Sequence, residues 1–321
     1  MVAPSPRSPI AIVGPTAAGK TALSLAVCHH IEEDTECRAA VVNMDAMQQY
    51  RGMDIGTAKL SVDEREGIDH YLLDILEVTE NASVAAYQRR AVACVEQLRE
   101  DGVVPVLVGG SMLYYQSLID TWEFPPTDPE IRRQLEAERD ESGIDLLADR
   151  LRQLDPAAAA TIDAHDERRI IRALEVIAVT GRPFTATQPD RTGEPRWGTT
   201  IIGLATSGDW LNPRIDERTR TMFEAGLVEE TRALVARGLT ADSTAGRAIG
   251  YAQVMAMDAG ELTGDEAVTA TIFGTRRYVR RQRAWFRRDG RIRWWNAEEV
   301  HSNPAEAARA AVAAARGDGV A

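Results

Sequence analysis

Gly14-Pro15-Thr16-Ala17-Ala18-Gly19-Lys20-Thr21 satisfies the pattern G-x-x-x-x-G-K-[ST] at every fixed position. A short apolar run, Ile10 to Val13, precedes it, and an Ala- and Leu-rich stretch of helical period follows Gly19. Strand, glycine loop and helix in that order make a phosphate-binding loop, or P-loop. The glycines let the backbone curl so that its N–H groups point inward. The helix N-terminus adds partial positive charge, Lys20 adds a cation, and Thr21 offers a hydroxyl to Mg²⁺. Gly14, Thr16, Ala17, Ala18, Gly19, Lys20 and Thr21 are therefore expected to hold a di- or triphosphate, with Thr21 the metal contact. A chance Gly-rich turn would not come with this strand and helix around it. The motif does not identify the phosphate compound.

The remaining pattern surrounds that loop with a parallel sheet. Ala39 to Val42 reads as a second buried strand, and Val103 to Val108, which ends at Gly109-Gly110, reads as a third. Val84 to Leu98 between them has helical spacing. Strands alternating with helices imply parallel pairing, and such sheets bind ligands at the carboxyl ends of their strands. Gly14, Asp45 and Gly109 all follow strand ends. A breaker cluster at 123–129 opens a charged, Ala-rich helical stretch from Ile131 to Thr180, followed by a polar loop over 181–198. Thr199 to Ala205 returns to a strand pattern. Long helices are expected over Asp209–Arg237 and Asp265–Trp285, and a terminal one over Pro304–Arg316. The expected fold is α/β, a P-loop NTPase-like parallel sheet flanked by helices, with residues 1–120 and 199–321 as core and 121–198 as an inserted helical subdomain.

Composition sets outer bounds. No apolar stretch approaches the roughly 20 residues of a membrane span, and the first residues lack the apolar centre of an export signal, so a cytoplasmic protein is expected. Three cysteines and five histidines show no ligand spacing, which argues against a disulfide framework or a zinc site. The net charge of −12 on 321 residues argues, taken whole, against a polyanionic partner. The charge is segregated, however. Arg276 to Arg293 carries nine arginines and one acid, a local +8, and leaves −20 on the other 303 residues. Tyr278, Trp285, Phe286, Trp294 and Trp295 sit among those arginines. Counterion release depends on the groove that meets phosphates, so this segment could bind RNA, although the aromatics could equally be core anchors.

The P-loop, the run Asp45-Ala46-Met47-Gln48-Gln49-Tyr50-Arg51-Gly52-Met53-Asp54-Ile55-Gly56-Thr57-Ala58-Lys59, and Gly109-Gly110-Ser111-Met112-Leu113-Tyr114-Tyr115 together resemble the tRNA dimethylallyltransferase (tRNA isopentenyltransferase) family. Arg168 to Val176, Arg214 to Arg218, Ala248 to Tyr251 and Thr275 to Tyr278 extend the resemblance over residues 10–295. It implies transfer of a dimethylallyl group from dimethylallyl diphosphate to N6 of adenosine 37, beside the anticodon, in tRNAs reading codons that begin with U. It also explains why the P-loop lacks a convincing kinase companion set, since the bound diphosphate would be the leaving group.

The resemblance implies roles residue by residue. Asp45 would contact the target amine and accept its proton; read from the residues alone, it could also be a helix cap or an Mg²⁺-associated carboxylate. Ser111 matches a family threonine that contacts the diphosphate or the reacting centre, and could equally cap a helix. Arg214 and Arg218, four apart on one helix face, would clamp the diphosphate; otherwise they form a solvated face paired with Asp216, Glu217 and Glu224. Asp45, Ala46, Met47, Gln48, Arg51 and Lys59 are expected to touch the tRNA, Gln48 by reading the flipped base or its neighbour. Arg132, Arg133, Arg168, Arg169, Arg276, Arg277, Arg280 and Arg281 are candidate contacts to the anticodon stem-loop. Asn43 and Ala46 depart from the serines usual there. Mg²⁺ is the expected cofactor, and a monomer the expected state. The alternatives are an adenylate isopentenyltransferase acting on free nucleotides, a P-loop small-molecule kinase, and a nonenzymatic RNA-binding module.

Overall fold

The computed structural model describes residues 8–122, 124–187 and 193–317; Glu123 of the breaker cluster and residues 188–192 of the expected loop lie outside them. Among the described residues, six strands form one parallel sheet: β1 Ile10–Val13, β2 Ala39–Asn43, β3 Asp69–Tyr71, β4 Val104–Gly109, β5 Thr200–Ala205 and β6 Arg293–Asn296. Their order is β3-β2-β4-β1-β5-β6. The four central strands are the ones with a sequence signal, because strands covered on both faces become continuous aliphatic runs. The edge strands are the ones without it. β3, Asp-His-Tyr, is short and mostly exposed, and β6, Arg-Trp-Trp-Asn, hides inside the arginine-rich segment.

The helices of the main unit are α1 Lys20–Asp34, α2 Val84–Glu100 and α3 Met112–Ile119. Next in the chain come α4 Pro129–Ser142, α5 Ile144–Leu154, α6 Pro156–Thr161 and α7 Glu167–Thr180. The main unit resumes with α8 Gly208–Glu224, α9 Leu227–Ala236, α10 Tyr251–Asp258, α11 Gly264–Phe286, α12 Ala297–Ser302 and α13 Pro304–Arg316. The single helix expected over Asp209–Arg237 is two. The chain turns at Gly226, whose φ of 103° lies where side chains with a Cβ are strained, and α9 starts afresh from it. Among the described residues no helix is long and apolar enough to cross a membrane.

Alternate residues of the strands face opposite layers. Ile10, Ile12, Val104, Val106, Ile202 and Leu204 pack on one side against Leu23, Val27 and Ile31 of α1 and Ala311 and Val312 of α13. Ala11, Val13, Val42, Leu107 and Ile201 pack on the other against Tyr87 and Val95 of α2, Tyr115 and Leu118 of α3, and Phe286 at the end of α11. Each large aliphatic side chain buried in this way contributes roughly 1.5–3 kcal/mol. A third cluster joins Tyr50, Met53, Leu76 and Val78 to Leu227, Leu234, Tyr251 and Val254, which anchors the long segment after β2 on α9 and α10.

Residues Asp120–Arg191 form a compact unit of their own, and Met1–Ile119 with Thr192–Ala321 form the other. The smaller unit holds α4 to α7 around Leu135, Leu147, Leu151, Ile170, Ile171 and Leu174. Its helix starts are written in the sequence. Asp128 accepts hydrogen bonds from the backbone of Glu130 and Ile131 ahead of Pro129, and Asp166 accepts from Arg169.

Candidate active site

β2, β4 and β1 are neighbours, so their carboxyl ends deliver the segment after Asn43, the turn Gly109-Gly110-Ser111 and the P-loop to one edge of the sheet. The P-loop has the backbone that its composition predicts. Gly14 has φ 146°, and a Cβ there would come 3.1 Å from the Leu204 carbonyl oxygen. Gly19, at φ 94°, caps α1. Ala17 holds φ 62° without being glycine, a strain of the kind that collects at functional sites. Lys20 Nζ donates to the Pro15 carbonyl at 2.7 Å. Burial lowers the Lys20 pKa to about 8, with Asp45 pushing it back up and Arg218 pushing it further down. Three charges thus share one half-buried place.

Asp45 is held from both sides of its peptide. Its N–H donates to Asn43 Oδ1 at 2.8 Å and its carbonyl accepts from Asn43 Nδ2 at 2.9 Å. Asn43 is buried and also donates to the Leu72 carbonyl, so it organises the backbone of Asp45. Asp45 Oδ1 accepts from the Met47 N–H at 2.9 Å, while Oδ2 receives no hydrogen bond among the described residues. The capping role and a free carboxylate oxygen coexist on one side chain. Ser111 Oγ accepts from the Ala46 N–H at 3.0 Å, which ties the β4 turn to the segment after β2. Tyr278 lines the same cavity as Ser111, and its hydroxyl is pushed up to about 12, first by burial and then by the negative charge of Asp45, with Ser111 opposing the shift.

Arg218 has no hydrogen-bond or ion-pair partner among the described residues, and burial lowers its pKa, with Asp45 opposing and Arg214 adding to the shift. A half-buried guanidinium in that state is a site for an anion. Arg214 stacks on Trp210 with its Cζ 4.5 Å from the ring centroid and places a guanidinium nitrogen 3.5 Å from His301 Nε2. Asp216 does not pair with either arginine.

Two cavities meet at these groups. One, of about 520 Å³, is lined by the P-loop from Thr16 to Thr21, Gln48, Arg214, Arg218 and His301. The other, of about 460 Å³, is lined by Ala46, Met47, Ser111, Tyr251, Arg277, Tyr278 and Arg281. Thr16, Ala17, Lys20, Asp45, Thr57 and Arg218 line both.

The IPP transferase family profile matches residues 48–289. The chain belongs to that family. A protein of Corynebacterium efficiens called tRNA dimethylallyltransferase is 60% identical over 91% of this chain and 95% of its own length. One of Corynebacterium diphtheriae with the same name is 57% identical over the same shares of the two chains. The crystal structure of a full-length tRNA isopentenylpyrophosphate transferase from Bacillus halodurans is 33% identical and superposes with a TM-score of 0.68, covering 96% of this chain and 98% of that one.

In this IPP transferase family member, several of the residues expected to touch tRNA are held by partners of their own. Lys59, 3% exposed, donates to Asp54, Asp74 and the Tyr50 carbonyl, so it knots the segment after β2 rather than facing a ligand. Arg51 pairs with Glu77 at the surface. Arg276 grips both carboxylate oxygens of Asp216, at 2.7 and 2.6 Å, and so pins α11 to α8. Arg132 pairs at 2.6 Å with the buried Glu175, Arg133 pairs with Glu130, and Arg169 with Asp166. Arg168, Arg277, Arg280 and Arg281 are exposed and have no such partner among the described residues. Gln48 lines the first cavity, although its Nε2 already donates to the Thr57 carbonyl at 3.1 Å.

Other site residues have no local signal. Glu230 accepts the backbone N–H groups of Asp54, Ile55 and Gly56 and the Tyr251 hydroxyl, at 2.6 to 3.3 Å, and so shapes the cavity wall beside Thr57. A Cβ on Gly56 would lie 2.5 Å from the Tyr251 ring, which makes that glycine a condition of the contact.

The lowered Lys20 predicts a pH dependence. Below pH 8 Lys20 is charged in the free protein, and a polyanion binds without taking up a proton. Between about 8 and its ordinary 10.5 the free amine is neutral while the anion-bound one is charged, so binding takes up a proton and affinity falls. Calorimetry in two buffers of different ionisation enthalpy should show proton uptake on diphosphate binding at pH 9 and almost none at pH 7.

Proposed function

We propose that this chain transfers a dimethylallyl group from dimethylallyl diphosphate to N6 of adenosine 37 in tRNAs that read codons beginning with U. The meeting of the two cavities supports this reading: one is lined by the P-loop and two arginines, the other by a carboxylate, hydroxyls and arginines without an ion-pair partner among the described residues, and both share Lys20, Asp45 and Arg218. A donor entering on the P-loop side and a base entering on the Tyr278 side would meet at those three residues. The names of the similar proteins above support the same chemistry.

Atoms balance simply. The C1–O bond of the donor breaks, the N6–C1 bond forms, the N6 proton passes to Asp45 Oδ2, and diphosphate leaves. Charge grows on the leaving oxygens, where the loop amides, Lys20, Arg214 and Arg218 would hold it; one such donor is typically worth about 3 kcal/mol of barrier. The adenine amine is a poor nucleophile because its lone pair is delocalised, so alignment and proton acceptance are what Asp45 contributes. Ser111 fixes the peptide after Asp45, and Tyr278 walls the base side. Arg277, Arg280 and Arg281 would meet RNA phosphates, and Arg168 would do so from the helical unit; Arg133 and Arg169 could join by exchanging their surface partners.

Mg²⁺ fits the donor side. No group of three or more His, Cys, Asp or Glu gathers among the described residues, and Thr21 presents an exposed hydroxyl where α1 begins. Mg²⁺ prefers few protein oxygens, several waters and substrate phosphates, and Thr21 would hold it. When bound it would neutralise charge on the diphosphate.

The test is mass spectrometry of nucleosides after incubating tRNA with dimethylallyl diphosphate and Mg²⁺. N6-dimethylallyladenosine at position 37 is expected. Phosphoryl transfer from labelled ATP would favour a kinase, and free AMP outcompeting an anticodon stem-loop would favour an adenylate enzyme.

A further inference from the structure

Gln282 lies on α11 one turn beyond Tyr278 and is 1% exposed. Its Oε1 accepts the Thr16 N–H of the P-loop at 3.1 Å, and its Nε2 donates to the Gly110 carbonyl at 2.9 Å. The two ends of one primary amide therefore bridge two strand ends, the loop after β1 and the turn after β4. The phosphate side and the base side of the cleft hang on those two strand ends. Thr16 leads into Ala17, Lys20 and the loop amides, while Gly110 leads into Ser111, whose Oγ holds the Ala46 N–H next to Asp45. Gly110 has room for nothing larger than hydrogen, since a Cβ there would fall within contact distance of Gln282 Nε2 and 3.0 Å from the Gly14 carbonyl oxygen.

We propose that Gln282 is a positioning residue, a strut that sets the distance between the diphosphate cradle and the amine-orienting turn. It also lines the base-side cavity, but both polar ends of its amide are taken up by Thr16 and Gly110, so it acts through them. The inference rests on the two-substrate reading above and adds the element that keeps the two halves in register. A primary amide suits the task because it offers an acceptor and a donor in one rigid plane; the bond to Gly110 is buried and the bond to Thr16 part-buried. A carboxylate would lose the donor, and an amine would lose the acceptor.

A strut has a kinetic signature different from that of a binding contact. Each half-site still takes its own substrate when it is removed, but the reacting atoms no longer line up, and misplacement by about 1 Å costs about 100-fold in rate. Gln282→Met keeps the length and loses both hydrogen bonds. It is expected to lower kcat about 100-fold, with dissociation constants for the donor and for an anticodon stem-loop RNA changed less than about threefold. Gly110→Ala attacks the same bridge from the other end by displacing the amide, and also serves if Gln282→Met does not fold. The two changes should be strongly non-additive, so that Gly110→Ala costs little more in the Gln282→Met background.

Thermal unfolding confirms that each variant is folded before kinetics are compared. A folded Gln282→Met protein with wild-type kcat overturns the strut, as does a loss confined to donor affinity, or full additivity of the two changes. Failure of the wild-type protein to prenylate RNA overturns the functional reading instead, and the same assay reports which of the two has failed.

Discussion

Asp45→Asn should lower prenyl transfer by about 10² to 10⁴-fold, the range for removing a positioned proton acceptor. The change keeps the shape of the side chain, and an amide oxygen can still accept the Met47 N–H that now meets Oδ1. The backbone of Asp45 is held by Asn43 and not by its own carboxylate, so the turn should survive. The site loses a base and a negative charge facing Lys20 and Arg218. The tRNA affinity should stay within about threefold, and single-turnover rates on pre-bound tRNA separate the two quantities. Loss of tRNA binding with normal turnover of what remains bound would show that Asp45 is an RNA contact and nothing more.

Lys20→Met should be the other severe change, lowering kcat about 10² to 10³-fold, as for removal of one preorganised donor to a developing anion. Donor affinity should fall with it, because a cation facing a diphosphate acts in the ground state as well as in the transition state. The fold should tolerate the substitution. Lys20 makes one hydrogen bond, to the Pro15 carbonyl, and burial disfavours its charge more than Asp45 favours it. Removing the charge relieves that burial cost, so the thermal midpoint should hold while activity collapses. The signature is donor-side KM and kcat both damaged, tRNA KM spared, and the proton uptake at pH 9 abolished.

The two residues were visible in the sequence for the same reason. Lys20 belongs to a contiguous motif, and Asp45 follows an aliphatic run whose burial on both faces is written in its composition. Local chain geometry was enough to place them at the ligand edge of the sheet. Ser111 was visible in the same way, after Gly109-Gly110.

Contacts made only by the folded chain were not visible. Gln282 meets Thr16 across 266 residues of sequence, and no local pattern announces that pairing. The motif stretch and the arginine cluster put Lys59 and Arg276 among the residues expected to touch tRNA, but no local pattern shows that the fold pairs Lys59 with Asp54 and Asp74, and Arg276 with Asp216. The edge strands β3 and β6 were missed because an edge needs neither burial on both faces nor an unbroken aliphatic run. The two hydrogen bonds by which Asn43 brackets the Asp45 peptide are likewise invisible in the sequence.

The most direct measurement is a crystal structure with a non-hydrolysable thio analogue of dimethylallyl diphosphate, Mg²⁺ and an anticodon stem-loop, grown with ATP also present. The two phosphates should lie on the Ala17 to Thr21 amides and Lys20, with C1 pointing past Asp45 toward an extruded adenine. A nucleoside triphosphate in that loop, with the isoprenoid phosphates held elsewhere, would contradict it.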